Sequence, residues 1–286
     1  MAIAVREKSL SCRGEREALG VYGFIDRLER WAGRSRGIAR GAALLSNQCA
    51  RVIGYHFSPS PDAEVNGEAL LVRRLGPGLA TFIDVGANVG SWTERVLAAA
   101  PQLKLGALIE PSDSAFLRLS ERFASNANLR LFHCALGDSA QEMTFYEEAS
   151  AGETSSLIRR FSGPGAVQRK VHVRTLDDIA DQVGFAKVDF VKVDCEGYDF
   201  HILRGAVRLL KAQAIGVVQF EYNRPWALSG STLGNAIQWL STFGYEVFVL
   251  TPRGVSSFDY TKFGDFFAYS NFVAASPLSR ELLVDI

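Results

Sequence analysis

Apolar residues recur at intervals of three and four from Glu15 to about His56: Leu19, Val21, Phe24, Ile25, Leu28 and Trp31, then Ile38, Ala42, Leu45, Cys49, Val52 and Ile53. That period is helical, and Gly33 and Gly37 divide it into two predicted helices. The turn cluster Ser58-Pro-Ser-Pro-Asp62 ends the pattern, and a short helix predicted over 64–75 leads into Gly76-Pro77-Gly78. An N-terminal helical segment is therefore expected over 1–76, with a second domain over 77–286. In that second part short apolar runs alternate with helical patterns, as in a largely parallel sheet covered on both faces. The runs predict strands near 81–85, 105–109, 129–134, 188–193 and 215–221, and helices near 91–100, 113–125, 199–210 and 231–243. Tyr245–Leu250 and Phe266–Ala274 read as a closing antiparallel pair. An insertion over about 139–180 contains two alternating stretches, Met143–Tyr146 and Val167–Val173, around Gly163-Pro-Gly165.

Composition narrows the class. The chain has 286 residues, 48% of them hydrophobic and 22% charged, which is ordinary globular composition and excludes a disordered or collagen-like chain. No apolar stretch approaches the ~18 residues that cross a bilayer, and the N-terminus lacks the form of a signal peptide. The 31 basic and 31 acidic residues balance, so no global field calls for nucleic acid. Locally, residues 27–57 carry six Arg against the single acid Glu29. The first reading of that excess is a solvated helical face; contact with an anionic partner or a membrane surface is the other, and a lid or homodimer contact is a further use of the segment. The four cysteines, at 12, 49, 134 and 195, form no Cys-x-x-Cys pair. They fit a reducing, cytoplasmic protein without zinc or a disulfide framework.

The most informative stretch is Thr81-Phe-Ile-Asp84-Val-Gly86-Ala-Asn88-Val-Gly90-Ser-Trp92. A buried strand running into Asp-x-Gly-x-Asn-x-Gly and then a helix makes a tight turn at which a ligand can approach the backbone and the helix N-terminus. The dinucleotide pattern Gly-x-Gly-x-x-Gly is not met, because Asn88 and Ser91 stand at its second and third glycine positions. About twenty residues after Gly90 the next strand ends at Glu110-Pro111, where a carboxylate can accept both hydroxyl protons of a ribose. The third strand ends in Ala135-Leu136-Gly137-Asp138, small and apolar residues and then an acid, which suits an adenine pocket with Asp138 on the exocyclic amine.

With these pieces in this order, the chain resembles the FkbM-type family of S-adenosylmethionine-dependent methyltransferases from roughly 80 to 275. The resemblance rests on Phe82-Ile-Asp-Val-Gly-Ala-Asn-Val-Gly90, Glu110-Pro111, Ala135-Leu-Gly-Asp138, Thr175-Leu-Asp177, Val191-Lys-Val-Asp194-Cys-Glu196-Gly197 and Leu203-Arg-Gly205-Ala206. It implies a doubly wound, seven-stranded class I methyltransferase (Rossmann-like) α/β sheet behind the helical segment. It also implies S-adenosyl-L-methionine bound across Asp84, Gly86, Asn88, Gly90, Glu110, Ala135, Leu136 and Asp138. The family pattern carries serines in the loop Glu153-Thr-Ser-Ser-Leu157, which adds Ser155 and Ser156 to the cofactor contacts. The implied reaction is O-methylation of a hydroxyl, commonly on a sugar or a polyketide-type natural product, with the saccharide or glycan precursor preferred here.

A second cluster is Lys192-Val-Asp194-Cys-Glu196-Gly197-Tyr-Asp199-Phe-His201. Asp194 and Glu196 arrive at a strand's carboxyl end, and one could take the substrate hydroxyl's proton while the other orients it. His201 joins them as a catalytic candidate, and Glu221, Asn223 and Trp226 are expected to line the substrate pocket, Trp226 as a surface on which a sugar stacks. Asp194, Glu196 and His201, with Glu221 on the neighbouring strand, also have the character of hard-ion ligands. No compact ligand motif demands a divalent metal, and metal-free transfer is preferred. The alternative to an enzyme is a catalytically silent methyltransferase-like protein that binds a partner through its Arg-rich helices.

Overall fold

The computed structural model describes residues 23–147, 155–159 and 165–283. The chain divides into two compact units, Met1–Arg51 and Val52–Ile286. In the first, residues 23–33 are helical and a second helix starts at Arg36, so the break falls beside the two glycines. That helix, Arg36–Phe57, continues into the second unit. Among the described residues no helix is long and apolar enough to cross a membrane.

The second unit holds eleven strands among its described residues: β1 Thr81–Val85, β2 Leu105–Ile109, β3 Leu129–Phe132, β4 Ala135–Leu136, β5 Gln141–Glu147, β6 Val167–Arg174, β7 Val188–Val193, β8 Ile215–Tyr222, β9 Glu246–Thr251, β10 Gly254–Ser257 and β11 Ser270–Ala275. Eight of them form one mixed sheet in the order β10-β9-β11-β8-β7-β1-β2-β3. The expected count of seven is thus corrected to eight. The turn after β9 brings the chain back at Gly254, φ 115°, and β10 pairs antiparallel with β9 as an added edge. Strand β1 pairs in parallel with both β2 and β7, and β11 runs antiparallel between β8 and β9.

The central strands are buried on both faces, which is why they read as continuous apolar runs. Side chains still alternate with the two-residue period of a strand. Ile83 and Val85 join the core with Val191, Val193, Leu203 and Phe220. Phe82 points the other way, into Leu71, Val72, Trp92, Val96, Leu119 and Phe190. Leu71 and Val72 come from the helix Glu68–Leu75, so that helix, read from sequence as the end of the N-terminal segment, supplies core to the sheet. The two strands of the insertion, β5 and β6, join β4 in a small sheet, β4-β6-β5, over Ala135, Phe145, Val171 and Val173.

The topology fixes where a ligand can lie. From β1 the chain builds outward through β2 and β3, then returns to the opposite side of β1 as β7 and β8. At such a reversal the connections leave the strand ends in opposite directions and open a crevice at their carboxyl ends.

Candidate functional site

Here the crevice is a cleft of about 340 Å³, lined by residues between Pro61 and Tyr269. Its floor begins with the turn after β1. Gly86 at φ 81° and Asn88 at φ 48° take the chain back on itself, and the Gly86 and Ala87 amides donate to the Ile109 carbonyl, each at 3.0 Å. A Cβ on Gly86 would lie 1.9 Å from the Asp194 carbonyl oxygen, so the turn and the end of β7 touch backbone to backbone. Gly90 at φ 84° opens the helix Ser91–Ala99 against the Phe123 ring, and lies behind the lining.

Asp84 is fully buried beneath this turn and accepts the Thr93 hydroxyl at 2.6 Å. It faces the helix rather than the cleft lining. Burial pushes its carboxyl up to about 6 against the pull of Lys192 and the Thr93 hydroxyl. Glu110, by contrast, lines the cleft. Its two oxygens accept the Asn88 and Ser112 amides, each at 2.8 Å, tying the turn to the start of the helix Asp113–Phe123. Burial nonetheless drives it up to about 7. Ala135, Leu136, Ser155 and Ser156 complete this side, and the Ser156 hydroxyl donates to the Glu196 carbonyl at 3.1 Å.

The other side of β1 carries the acids. Asp194, half-buried, accepts from the Lys192 ammonium at 2.8 Å. Burial would raise Asp194, but Lys192 and hydrogen bonds from Lys192 and Glu221 hold it below the usual carboxylate range. Burial would equally lower Lys192, yet Asp194, Glu68 and Asp84 outweigh it and keep the ammonium charged. Glu221, 7% exposed and facing Asp194, Glu196 and Asp199, is driven well above its usual value by burial and then by those charges. One ligating atom from each of Asp194, Glu196 and Glu221 can be chosen so that all lie within 4.8 Å of one another. Asp199 props the turn that presents them, accepting the Gly197 amide at 3.1 Å, and burial with the nearby Asp194 pushes it up to about 8.

Besides Asp84 and Gly90, the residues His201, Asp138, Trp226 and Asn223, all read as functional, are absent from the lining. His201 stacks on Tyr198 at 4.3 Å, and its two ring nitrogens meet the Ser229 carbonyl at 3.0 Å and Arg204 at 2.8 Å, so neither is free to act as a base. Asp138 pairs with Arg204 at 2.7 Å and is absent from the lining. Trp226 is completely buried among Phe200, Phe220 and Tyr222, which corrects its reading as a sugar-stacking surface. Its apolar area is worth more in that aromatic core than on a loop. Asn223, 7% exposed, reaches Glu196 with its side-chain amide at 3.4 Å.

The sequence reading missed a polar group on the cleft wall. Glu68 accepts from Asn66 at 2.7 Å, Gln219 at 2.9 Å and Asn271 at 3.2 Å, and the Tyr269 hydroxyl accepts from the same two asparagines. Glu68 and Tyr269 both line the cleft. Each reads in sequence as an ordinary helix-start acid or strand-end aromatic, and only the fold joins them.

The 2-O-methyltransferase NoeI of Sinorhizobium fredii (strain NBRC 101917 / NGR234) is 26% identical over 191 residues, 61% of this chain and 75% of that protein. Among solved structures, the methyltransferase FkbM of Methylobacillus flagellatus KT aligns with a TM-score of 0.47 and 15% identity, covering 87% of this chain and 70% of its own. The precorrin-6y C5,15-methyltransferase of Geobacter metallireducens GS-15 gives 0.39 and 13%, covering 73% and 86%. The model of the methyltransferase FkbM domain matches residues 84–247, from the acid under the turn through β7 and β8 and into β9, and the chain belongs to that family.

Proposed function

We propose that this protein is an S-adenosylmethionine-dependent O-methyltransferase that acts on a hydroxyl of a saccharide or glycan precursor, or of a related natural product. The observation that carries the reading is the division of one cleft by β1: a buried acid and apolar strand ends on the β2 and β3 side, three clustered carboxylates on the β7 and β8 side. The likeness to a 2-O-methyltransferase favours oxygen as the acceptor.

The residues present fit the cofactor. The side-chain oxygen of Asn88 and the indole N–H of Trp92 line the cleft buried and without partners, and such groups call for a polar ligand. Glu110 would take the ribose hydroxyls, Ala135 and Leu136 the adenine faces, and the turn at Gly86 the amino-acid end, with Ser155 and Ser156 beside them. When bound, the cofactor supplies a methyl carbon already activated by sulfonium. The chain's part is to align the acceptor and remove one proton. Asp194 is paired with Lys192 and Glu221 is driven toward its neutral form; Glu196, which accepts from Asn223 at 3.4 Å, is the acid proposed to receive the proton.

Calorimetric titration with S-adenosylmethionine and S-adenosylhomocysteine, with NADH as control, tests the cofactor. Micromolar binding of the first two alone is expected; binding of neither would favour the silent scaffold. Glu196→Gln is then expected to lower turnover by at least about a hundredfold while cofactor affinity stays within about twofold. Undiminished turnover of hydroxylated acceptors would remove Glu196 from the chemistry.

A further inference from the structure

The acids on the β7 and β8 side are more numerous than proton removal requires. Asp194, Glu196 and Glu221 each offer an oxygen within 4.8 Å of the others, near enough for small side-chain adjustments to bring them onto one cation. Lys192 pairs with Asp194 at 2.8 Å and is shared with Glu68 and Asp84. A second observation is independent of the cluster's charge. Asn223, 7% exposed, directs its side-chain amide at Glu196, and its amide oxygen is buried without a partner. One oxygen of Glu221, at the same strand end and two residues earlier, is likewise buried and unpartnered. Buried oxygens left unsatisfied beside clustered carboxylates call for a ligand that can satisfy them.

We propose that Asp194, Glu196 and Glu221, with Asn223 beside them, form a binding site for a hard divalent cation of the magnesium or manganese class. The donors are all oxygen, and Cys195, the thiol nearest in sequence, is not among them. The inference deepens the methyl-transfer reading and rests on it for the acceptor. A cation held there would bind the substrate hydroxyl and ease loss of its proton.

The test is titration of the purified full chain with Mn²⁺, followed by electron paramagnetic resonance and competed with Mg²⁺. One saturable Mn²⁺ per chain is expected, weakened about tenfold or more in Glu221→Gln and in Asn223→Ala. Glu142→Gln, an exposed acid on β5 paired with Lys170, serves as the control and should bind as the parent does. Absence of saturable binding in the parent chain, or unchanged affinity in both cleft variants, would overturn the proposal. S-adenosylhomocysteine titration of the same samples separates the two readings. Mn²⁺ binding without nucleoside binding would sink the methyltransferase reading and keep the ion site; the reverse would sink the ion site alone. Retained nucleoside binding also shows that a variant which loses Mn²⁺ is still folded.

Discussion

A carboxyl group that is to accept two hydroxyl protons must be ionised, and Glu110 is buried enough to sit at about 7. Protonated, it loses acceptor capacity at the moment a diol needs it. The sign follows: cofactor affinity should be full above pH 7 and fall as pH drops through that value, by up to about tenfold per unit. Titration calorimetry from pH 5.5 to 8.5 should show the slope, and Glu110→Gln should bind more weakly with the slope removed. A slope that survives in the variant would assign it to another group. Folding responds in the opposite sense, since an acid raised from 4.5 to about 7 makes the folded chain lose stability as pH rises between those values. At this scale the sequence is readable where a residue's role follows from its place on a strand. Glu110, Ala135, Leu136, Asp194 and Glu196 stand at or just past carboxyl ends and line the cleft. The surroundings of Asp138 and Trp226 were not legible because their partners are distant in sequence, Arg204 for Asp138 and Phe200 and Phe220 for Trp226, as is the Ser229 carbonyl that meets His201.

Elements were legible where period and punctuation agree. The strands β1, β2 and β7 have the expected bounds, because a short apolar run between turn residues allows little else. The predicted helix over 199–210 is instead two, Asp199–Arg204 and Val207–Lys211. At the break a Cβ on Gly205 would lie 2.1 Å from the Gly137 carbonyl, a tertiary approach that no local pattern announces. The helix Leu176–Val183 escaped because the insertion was read for alternation, although Thr175 and Asp178 form a capping box at its start. The turn joining β1 to the helix Ser91–Ala99 is the element on which the site depends. Gly86→Ala meets both a positive φ and the Asp194 carbonyl, and the two strand ends would have to part. We expect a loss of roughly 3 kcal/mol in stability, with cofactor affinity reduced at least tenfold. Gly184→Ala has a similar φ of 83° but open space around the added methyl, and should lose only about 1 kcal/mol. Equal effects in thermal melting would mean that backbone conformation, rather than the contact with β7, sets the requirement.

For the molecule as a whole, every residue lining the cleft lies between Pro61 and Tyr269, inside the unit Val52–Ile286. In the first unit Phe24 and Trp31 are about two-thirds exposed, at 67% and 65%. The alternation of strands and helices revealed the sheet, and Gly76-Pro77-Gly78 marked the expected end of the helical segment. What could not be read was how far that segment contributes to the core. Phe57, the last residue of the helix Arg36–Phe57, packs on Phe263 at 5.0 Å and Phe258 at 5.6 Å, and Glu68 reaches the cleft itself. Two truncations distinguish these contributions. A chain beginning at Val52 keeps Phe57, Glu68 and the whole lining, and should bind S-adenosylhomocysteine within about twofold of the full chain. A chain beginning at Thr81 loses Leu71, Val72 and Leu75 from the core, each buried side chain being worth about 2 kcal/mol. It should melt far lower or fail to fold, with binding lost. If the chain from Val52 also loses binding while its circular dichroism stays folded, binding depends on the first unit as well.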